Sequence, residues 1–179
     1  VSWSVASVST NESTNAITLT VNRTGTTFND VSVAFATTNV TATAGADYYA
    51  TNGTLTLTNG QASASIALRL INDDLQEATE TLQVRLTSVS DGIITNGTNT
   101  ITLTDDDTST LAFATNTITT GESNVTLTII VERSGATNTT VAVNYASTNG
   151  TATAASDYTA TSGTLSFVPG VVSNSFTVD

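Results

Sequence analysis

Thr41-Ala42-Thr43-Ala44, followed by Asp47-Tyr48, recurs 110 residues later as Thr151-Ala152-Thr153-Ala154, followed by Asp157-Tyr158. The same offset, without a gap, relates many other positions, among them Trp3 and Phe113, Glu12 and Glu122, Arg23 and Arg133, Gly25 and Gly135, Val33 and Val143, and Leu55 and Leu165. A period of this length is the size of one domain. The sequence therefore predicts two tandem repeats: a complete domain over residues 1–107, and a second repeat over residues 108–179. Asp105-Asp106-Asp107 lies at their junction.

Apolar residues alternate with Thr, Ser and Asn in short runs between clusters of Gly, Asn and Asp. Examples are Ile17, Leu19 and Val21, then Val31, Val33 and Phe35, then Leu82, Val84 and Leu86. Alternation with a period of two places one set of side chains inward in a β-strand. Seven such strands, the first containing Val5 and Val8, predict an immunoglobulin-like antiparallel β-sandwich. We expect Trp3 and Phe113 to plug the cores of the two repeats.

The second repeat follows the same plan, with strands expected around residues 125–131, 141–145, 165–167 and 176–178. Asp179 corresponds to Arg69, so residues 108–179 lack counterparts of the last strands of the first repeat. A sandwich without those strands has an open core and unpaired edges. Two interpretations stay open: a window on a longer repeat array, or a filament subunit whose residues 108–179 are completed by strands of a neighbouring copy. The absence of Met also suggests a processed chain or a segment of a longer one.

The composition excludes several classes of function. Four Lys+Arg residues face 15 Asp+Glu residues, and the net charge is -11, which disfavours nucleic acid and anionic membranes as partners. No apolar run approaches the roughly 20 residues of a membrane span. Neither Cys nor His is present, which removes disulfides, thiolate sites and most zinc sites and catalytic triads. With few aromatic residues to form a sugar cleft as well, we expect no enzyme activity.

Four acidic segments follow or precede strands at the same end of the predicted sandwich: Glu12, Asp47, residues 72–77 and Asp105–Asp107. Carboxylates gathered on one rim repel each other unless a cation neutralises them. Oxygen ligands without His or Cys suit Ca²⁺ better than Mg²⁺, which requires stricter octahedral geometry. The alternative is a set of solvated turns, which is enough to explain Asp30 and Asp91.

The motif that surrounds these acids resembles the Calx-β family. It comprises Thr41-x-Thr43-Ala44-x-x-Asp47-Tyr48, Gly53-Thr54-Leu55, Gly60, and Asp73-Asp74-x-x-Glu77-x-x-Glu80 followed by Leu82, Val84 and Leu86. The resemblance implies a set of Ca²⁺ ligands: Glu12, Asp47, Asp73, Glu77, Asp105, Asp106 and Asp107. Asn72 stands where the family's best calcium binders have an acid, which removes one negative charge. We interpret Asp74 and Glu80 as structural, and the second repeat retains only Glu122 and Asp157.

The resemblance and the composition together suggest an extracellular structural or adhesive protein, such as a cell-surface stalk, fibre or filament subunit. Its partners would be calcium and neighbouring copies of itself, with Ca²⁺ stiffening the junction at Asp105–Asp107. The first alternative is a calcium-sensing pair of domains, as in sodium–calcium exchangers. The second alternative is a carbohydrate-binding adhesin module.

Overall fold

The structure is a computed structural model, and it describes residues 1–121, 123 and 126–179. The described residues form strands without helices, as the alternating sequence predicts, and the chain separates into two compact units. The first unit comprises residues 1–73 and 77–106, and the second comprises residues 74–76 and 107–179. Because the described residues contain no helix, none of them forms a long apolar helix that could cross a membrane.

The first unit contains eight strands: β1 (Ser2–Trp3), β2 (Ser7–Asn11), β3 (Ala16–Asn22), β4 (Val31–Asn39), β5 (Asn52–Leu57), β6 (Ser63–Arg69), β7 (Glu80–Val89) and β8 (Thr98–Thr104). They form a three-stranded sheet, in the order β1-β3-β6, and a five-stranded sheet, in the order β2-β8-β7-β4-β5. The inward residues of both sheets share one core, in which Leu19 and Leu68 of the small sheet meet Val33 and Leu82 of the large sheet. The predicted β-sandwich is confirmed.

The first predicted strand is divided in two. Val5, which we expected inside it, is 49% exposed and lies in a bend between β1 and β2. The bend takes the chain from the small sheet to the large one, because β1 pairs with β3 whereas β2 pairs with β8. The β2–β8 pairing is parallel, whereas the other strand pairings among the described residues are antiparallel.

The described residues of the second unit form five strands: β9 (Ser109–Phe113), β10 (Leu127–Gly135), β11 (Val141–Ala146), β12 (Ser162–Phe167) and β13 (Ser173–Val178). They form one sheet in the order β13-β10-β9 and a second sheet that pairs β11 with β12. Val125, predicted at the start of β10, lies outside the described residues. The buried cluster is small and consists of Val131, Leu165 and Phe167.

The two predicted core plugs behave differently. Trp3 is 3% exposed, whereas Phe113 is 55% exposed. The expectation for Phe113 is therefore wrong, and the reason is that β7 and β8, which help to enclose the core of the first unit, have no counterparts within residues 108–179. Side-chain burial at this position depends on that hairpin more than on the local sequence.

Arg133 shows why an arginine recurs at this place in the repeat. Its side chain is 4% exposed and donates to the carbonyl oxygens of Ala136 and Thr139, at 2.7 Å and 2.8 Å, and to the hydroxyl oxygen of Ser109. Arg23 donates in the same way to the carbonyl oxygen of Asn29, at 2.7 Å. A buried guanidinium needs its donors satisfied, so each arginine fixes the loop that follows its strand.

Leu82→Ala tests the contribution of β7 to the first core. Leu82 has no exposed surface, so we expect the free energy of unfolding of the first unit to fall by about 2–5 kcal/mol through lost transfer energy and the cavity left behind. Chemical denaturation followed by Trp3 fluorescence measures this. Phe28→Ala is the control, because Phe28 is 84% exposed. Equal stability of the two variants would contradict the assignment of β7 to the core.

Candidate metal centre

The parallel pairing of β2 with β8 creates the first group of acids. Asn11, the last residue of β2, lies opposite Thr104, the last residue of β8. The backbone N–H of Glu12 donates to the carbonyl oxygen of Thr104 at 3.1 Å. The two chains therefore leave the sheet together, and carboxylate oxygens of Glu12, Asp105 and Asp107 lie within 4.8 Å of one another.

A second group consists of Asp47, Glu77 and Glu80, whose carboxylate oxygens also lie within 4.8 Å of one another. Asp47 lies in the turn after β4, Glu77 in the loop before β7, and Glu80 is the first residue of β7. The loop is tied to the turn, because the backbone N–H of Ile71 donates to the carbonyl oxygen of Asp47 at 2.9 Å.

The two groups meet at one small cavity. Its lining includes Glu12 and Asp105 from the first group and the whole of the second group, together with Ala78 and Leu103. The cavity is small, with a volume of about 10 Å³, which is enough for roughly one water molecule or one ion. Five carboxylates thus converge on a space suited to a single small particle.

Asp47 has two roles that its position in the turn allows. One carboxylate oxygen, Oδ2, accepts a hydrogen bond from the backbone N–H of Thr43 at 2.5 Å and so closes the turn. The side chain is 8% exposed and also belongs to the second acidic group. In the second repeat, Asp157 accepts from the N–H of Thr153 at 2.8 Å in the same way. Both aspartates therefore close a turn in their own repeat, and Asp47 also belongs to an acidic group.

The pKa of Glu80 is raised by its surroundings in the cavity. Burial raises the pKa of its carboxyl above the ordinary value of 4.5, and the charge of Asp47, a hydrogen bond with Asp47 and the charge of Glu77 raise it further. All these effects disfavour the ionised form. A bound cation would oppose them, because it would stabilise every ionised carboxylate around it.

The structure brings together five of the seven predicted ligands: Glu12, Asp47, Glu77, Asp105 and Asp107. Asp73 and Asp106 lie outside both groups, and Asp106 is exposed. Glu122 of the second repeat lies outside the described residues. The ligand roles themselves stay a prediction, because proximity alone does not demonstrate a metal.

Glu80 was interpreted from the sequence as structural, and the structure places it in the second acidic group. The signal that could have indicated this is the strand period. Glu80, Leu82 and Val84 are two residues apart, so their side chains leave the same face of β7, and Leu82 and Val84 have no exposed surface. An acid at the start of that inward row is directed toward the rim of the core.

The donor set fits a hard divalent cation. All six grouped side chains offer carboxylate oxygens, and Ca²⁺ is bound in proteins by six to eight oxygens in flexible geometry. Zn²⁺ prefers His and Cys, neither of which occurs in the sequence. If an ion binds, Glu12, Asp47, Glu77, Glu80, Asp105 and Asp107 are the residues that would hold it.

The fold and the cavity define a tandem β-sandwich protein with a carboxylate-lined centre in its first repeat. The family model of the Calx-beta domain matches residues 1–107 and again residues 104–179. The chain therefore belongs to the Calx-beta family, and the resemblance noted from its motifs is confirmed.

Solved structures of similar proteins match nearly the whole of this chain or one part of it. A crystal structure of CBD12 from CALX1.2 is 26% identical, covers 99% of this chain and 73% of that one, and has a TM-score of 0.57. The calcium binding domain CBD12 of CALX1.1 is 23% identical, covers 98% of this chain and 73% of that one, and has a TM-score of 0.59. The apo form of the Calx CBD1 domain is 26% identical over 59% of this chain and 96% of that one, with a TM-score of 0.58.

The raised pKa of Glu80 predicts a pH dependence of stability. In metal-free buffer, we expect the free energy of unfolding to fall as the pH rises from the ordinary value of 4.5 through the raised pKa. The reason is that the folded chain still holds a proton that the unfolded chain has released. Denaturation at a series of pH values, compared between the native sequence and Glu80→Gln, isolates this contribution from those of other acids. Identical pH profiles for the two chains would contradict it.

Proposed function

We propose that residues 1–107 bind Ca²⁺ at the carboxylate-lined cavity and that the two repeats act as a calcium-sensing binding module. The observation that carries the proposal is the convergence of Glu12, Asp105, Asp47, Glu77 and Glu80 on one cavity the size of an ion. Proteins gather so many like charges in one place at a cost in stability, and a divalent cation is the simplest ligand that offsets this cost. The function is binding, and the proposal assigns no catalytic role to any residue.

We favour a calcium-sensing role over the role of a stalk or fibre. CBD12 from CALX1.2 resembles this chain over nearly its whole length, and the corresponding region of CALX1.1 is described as a calcium binding domain. The adhesive and filament roles, and a location at the cell surface, rest on the composition and on the motif resemblance, and they stay predictions.

A calcium titration of wild type and of Asp47→Asn tests the proposed site. Asp47 supplies an oxygen to the second acidic group, so we expect the amide to weaken Ca²⁺ binding at least about tenfold, because it removes one charged ligand. The matched control is Asp157→Asn, which removes the same charge from the corresponding turn of the second repeat and keeps an oxygen that can accept from the N–H of Thr153. Isothermal titration calorimetry in metal-depleted buffer measures both. Absence of heat with the native sequence, or equal loss in both variants, would overturn the site.

The affinity itself distinguishes the two roles. Among EF-hand proteins, sensors bind Ca²⁺ with dissociation constants of about 10⁻⁷–10⁻⁵ M, whereas extracellular modules have values of about 10⁻⁴–10⁻³ M. We expect the native sequence to fall in the range of sensors. A dissociation constant near 1 mM would instead favour the structural stalk.

Asn72→Asp tests the lost charge in the loop before β7. Asn72 is exposed and precedes Asp73, and a carboxylate at this position adds one negative charge to the loop that carries Glu77. We expect tighter Ca²⁺ binding or an additional bound ion, because both affinity and the number of ions follow the ligand charge. The same calorimetric titration measures both quantities, with Asn59→Asp as a control on the turn between β5 and β6. An equal change in the two variants would indicate only a general effect of net charge.

A further inference from the structure

The loop after β11 carries an asparagine whose side-chain carbonyl accepts two hydrogen bonds. Oδ1 of Asn149 accepts from the backbone N–H of Ala154 at 2.9 Å and from the hydroxyl of Tyr158 at 2.7 Å. Two donors directed at one carbonyl oxygen are the arrangement that stabilises the oxyanion formed when a nucleophile attacks the carbonyl carbon. The side-chain amide of Asn149 is therefore polarised for such an attack.

The next residue places a backbone nitrogen beside that amide. Gly150 is exposed, and among the described residues no group accepts a hydrogen bond from its N–H. A Cβ added to Gly150 would meet nothing within 4 Å, and its φ is not positive, so neither packing nor backbone geometry requires glycine here. What glycine provides at this position is an unshielded backbone nitrogen.

The first repeat has the same two donors but a different neighbour. Oδ1 of Asn39 accepts from the N–H of Ala44 at 3.1 Å and from the hydroxyl of Tyr48. The residue that follows is Val40, whose branched side chain crowds the backbone nitrogen. Asn39 and Val40 are exposed although β7 pairs with β4 in this repeat. The exposure of this loop is therefore a property of the repeat and does not require that β7 be missing.

Asn-Gly occurs at three other places, and the fold restrains each of them. These pairs are Asn52-Gly53, Asn59-Gly60 and Asn96-Gly97. Gly53 lies inside β5 and pairs with Phe35 of β4. The N–H of Gly60 donates to the carbonyl oxygen of Thr27 at 2.7 Å. In the third pair, both carbonyl oxygens accept backbone hydrogen bonds, from Trp3 and Leu86.

We propose that Asn149 and Gly150 form a self-modifying site, at which the asparagine amide is converted to an acid without an enzyme. The backbone nitrogen of Gly150 loses its proton to water and bonds to Cγ of Asn149, while Ala154 and Tyr158 stabilise the charge that develops on Oδ1. The C–N bond of the side-chain amide then breaks, and ammonia leaves with a proton taken from water. A further water molecule opens the cyclic imide at either carbonyl and yields aspartate or isoaspartate.

The modification changes the charge and the backbone of the loop. Either product has a carboxylate in place of the amide, which adds one negative charge to the turn that Asp157 closes. Isoaspartate also lengthens the backbone by one carbon atom, which displaces the acceptor from the N–H of Ala154 and the hydroxyl of Tyr158. The turn between β11 and β12 therefore loosens as the molecule ages, and faster hydrogen exchange of the Ala154 amide reports this change.

The experiment follows the full chain in metal-depleted buffer at neutral pH over several weeks, with peptide mass spectrometry to quantify deamidation at each asparagine. We expect Asn149 to react at least about tenfold faster than the asparagines of the other three Asn-Gly pairs, because its carbonyl has two donors and its neighbour is unrestrained. The same chain in urea is the reference, since all four pairs are unfolded there. We expect the fold to slow the other three pairs relative to urea and not to slow Asn149.

Two variants test the residues that carry the argument. Tyr158→Phe removes one donor, and we expect it to slow the reaction at Asn149 by at least about fivefold. Its matched control is Tyr48→Phe, which removes the corresponding hydroxyl from the first repeat and leaves the rate at Asn149 unchanged. Val40→Gly gives Asn39 the same neighbour as Asn149, and we expect Asn39 to react at least about tenfold faster than in the native sequence.

Preferential reaction of Asn149 in the folded chain, together with slowing by Tyr158→Phe, supports the proposal. Equal rates at all four Asn-Gly pairs, or no reaction at Asn149, overturns it. An unchanged rate in Tyr158→Phe also overturns it, because the hydroxyl then only holds the loop in place. If Tyr158→Phe unfolds the second repeat, Val40→Gly decides, because a rate at Asn39 that does not rise contradicts the proposal. Measurements without Ca²⁺ keep these outcomes independent of the proposed calcium site.

Discussion

The pairing of β7 with β8 is the interaction on which both the core and the acidic cavity of the first repeat depend. Glu80 at the start of β7 lies opposite Leu103 near the end of β8, so the open end of this hairpin carries Glu80 on one strand and Asp105 just after the other. Further along, Leu82 pairs with Ile101, and both have no exposed surface. One hairpin therefore closes the apolar interior and brings two carboxylates to its rim.

β7 contributes both to the apolar core and to the acidic cavity, and the two contributions have opposite effects on stability. Burial of Leu82 and Val84 fixes β7 firmly in the sandwich, and the same rigid strand holds Glu80 beside Asp47 and Glu77, where its ionised form is disfavoured. A flexible loop would let the carboxylates separate and relieve their repulsion. Because β7 is paired on both edges, Glu80 keeps its place at the start of a fixed strand.

Much of the fold could be predicted from the sequence, because alternation in runs such as Ile17–Val21 and Leu82–Leu86 reports directly on which side chains face inward. The convergence of Glu12 and Asp105 was predictable from strand order as well. The bend at Val5 was not, because an apolar residue in a short run gives no indication that the strand changes sheets there. The position of Glu80 was missed because a motif assigned it a local role. The exposure of Phe113 could not be read from its identity, since burial of an aromatic residue depends on distant strands.

Comparison of the two repeats shows which features depend on residues close in sequence and which depend on distant strands. In both, the side chain of Asn39 or Asn149 accepts from a backbone N–H and from a tyrosine hydroxyl, and an aspartate closes the turn. The turn thus forms whether or not a β7–β8 hairpin is present, which means that residues within about ten positions of each other determine it. The acidic groups depend on residues distant in sequence, because Glu12 meets Asp105 where the parallel β2–β8 pair ends and Asp47 meets Glu80 at the start of β7. The motif around Asp47 or Asp157 therefore specifies a turn by itself, and Asp47 joins an acidic group where β7 brings Glu80 to it.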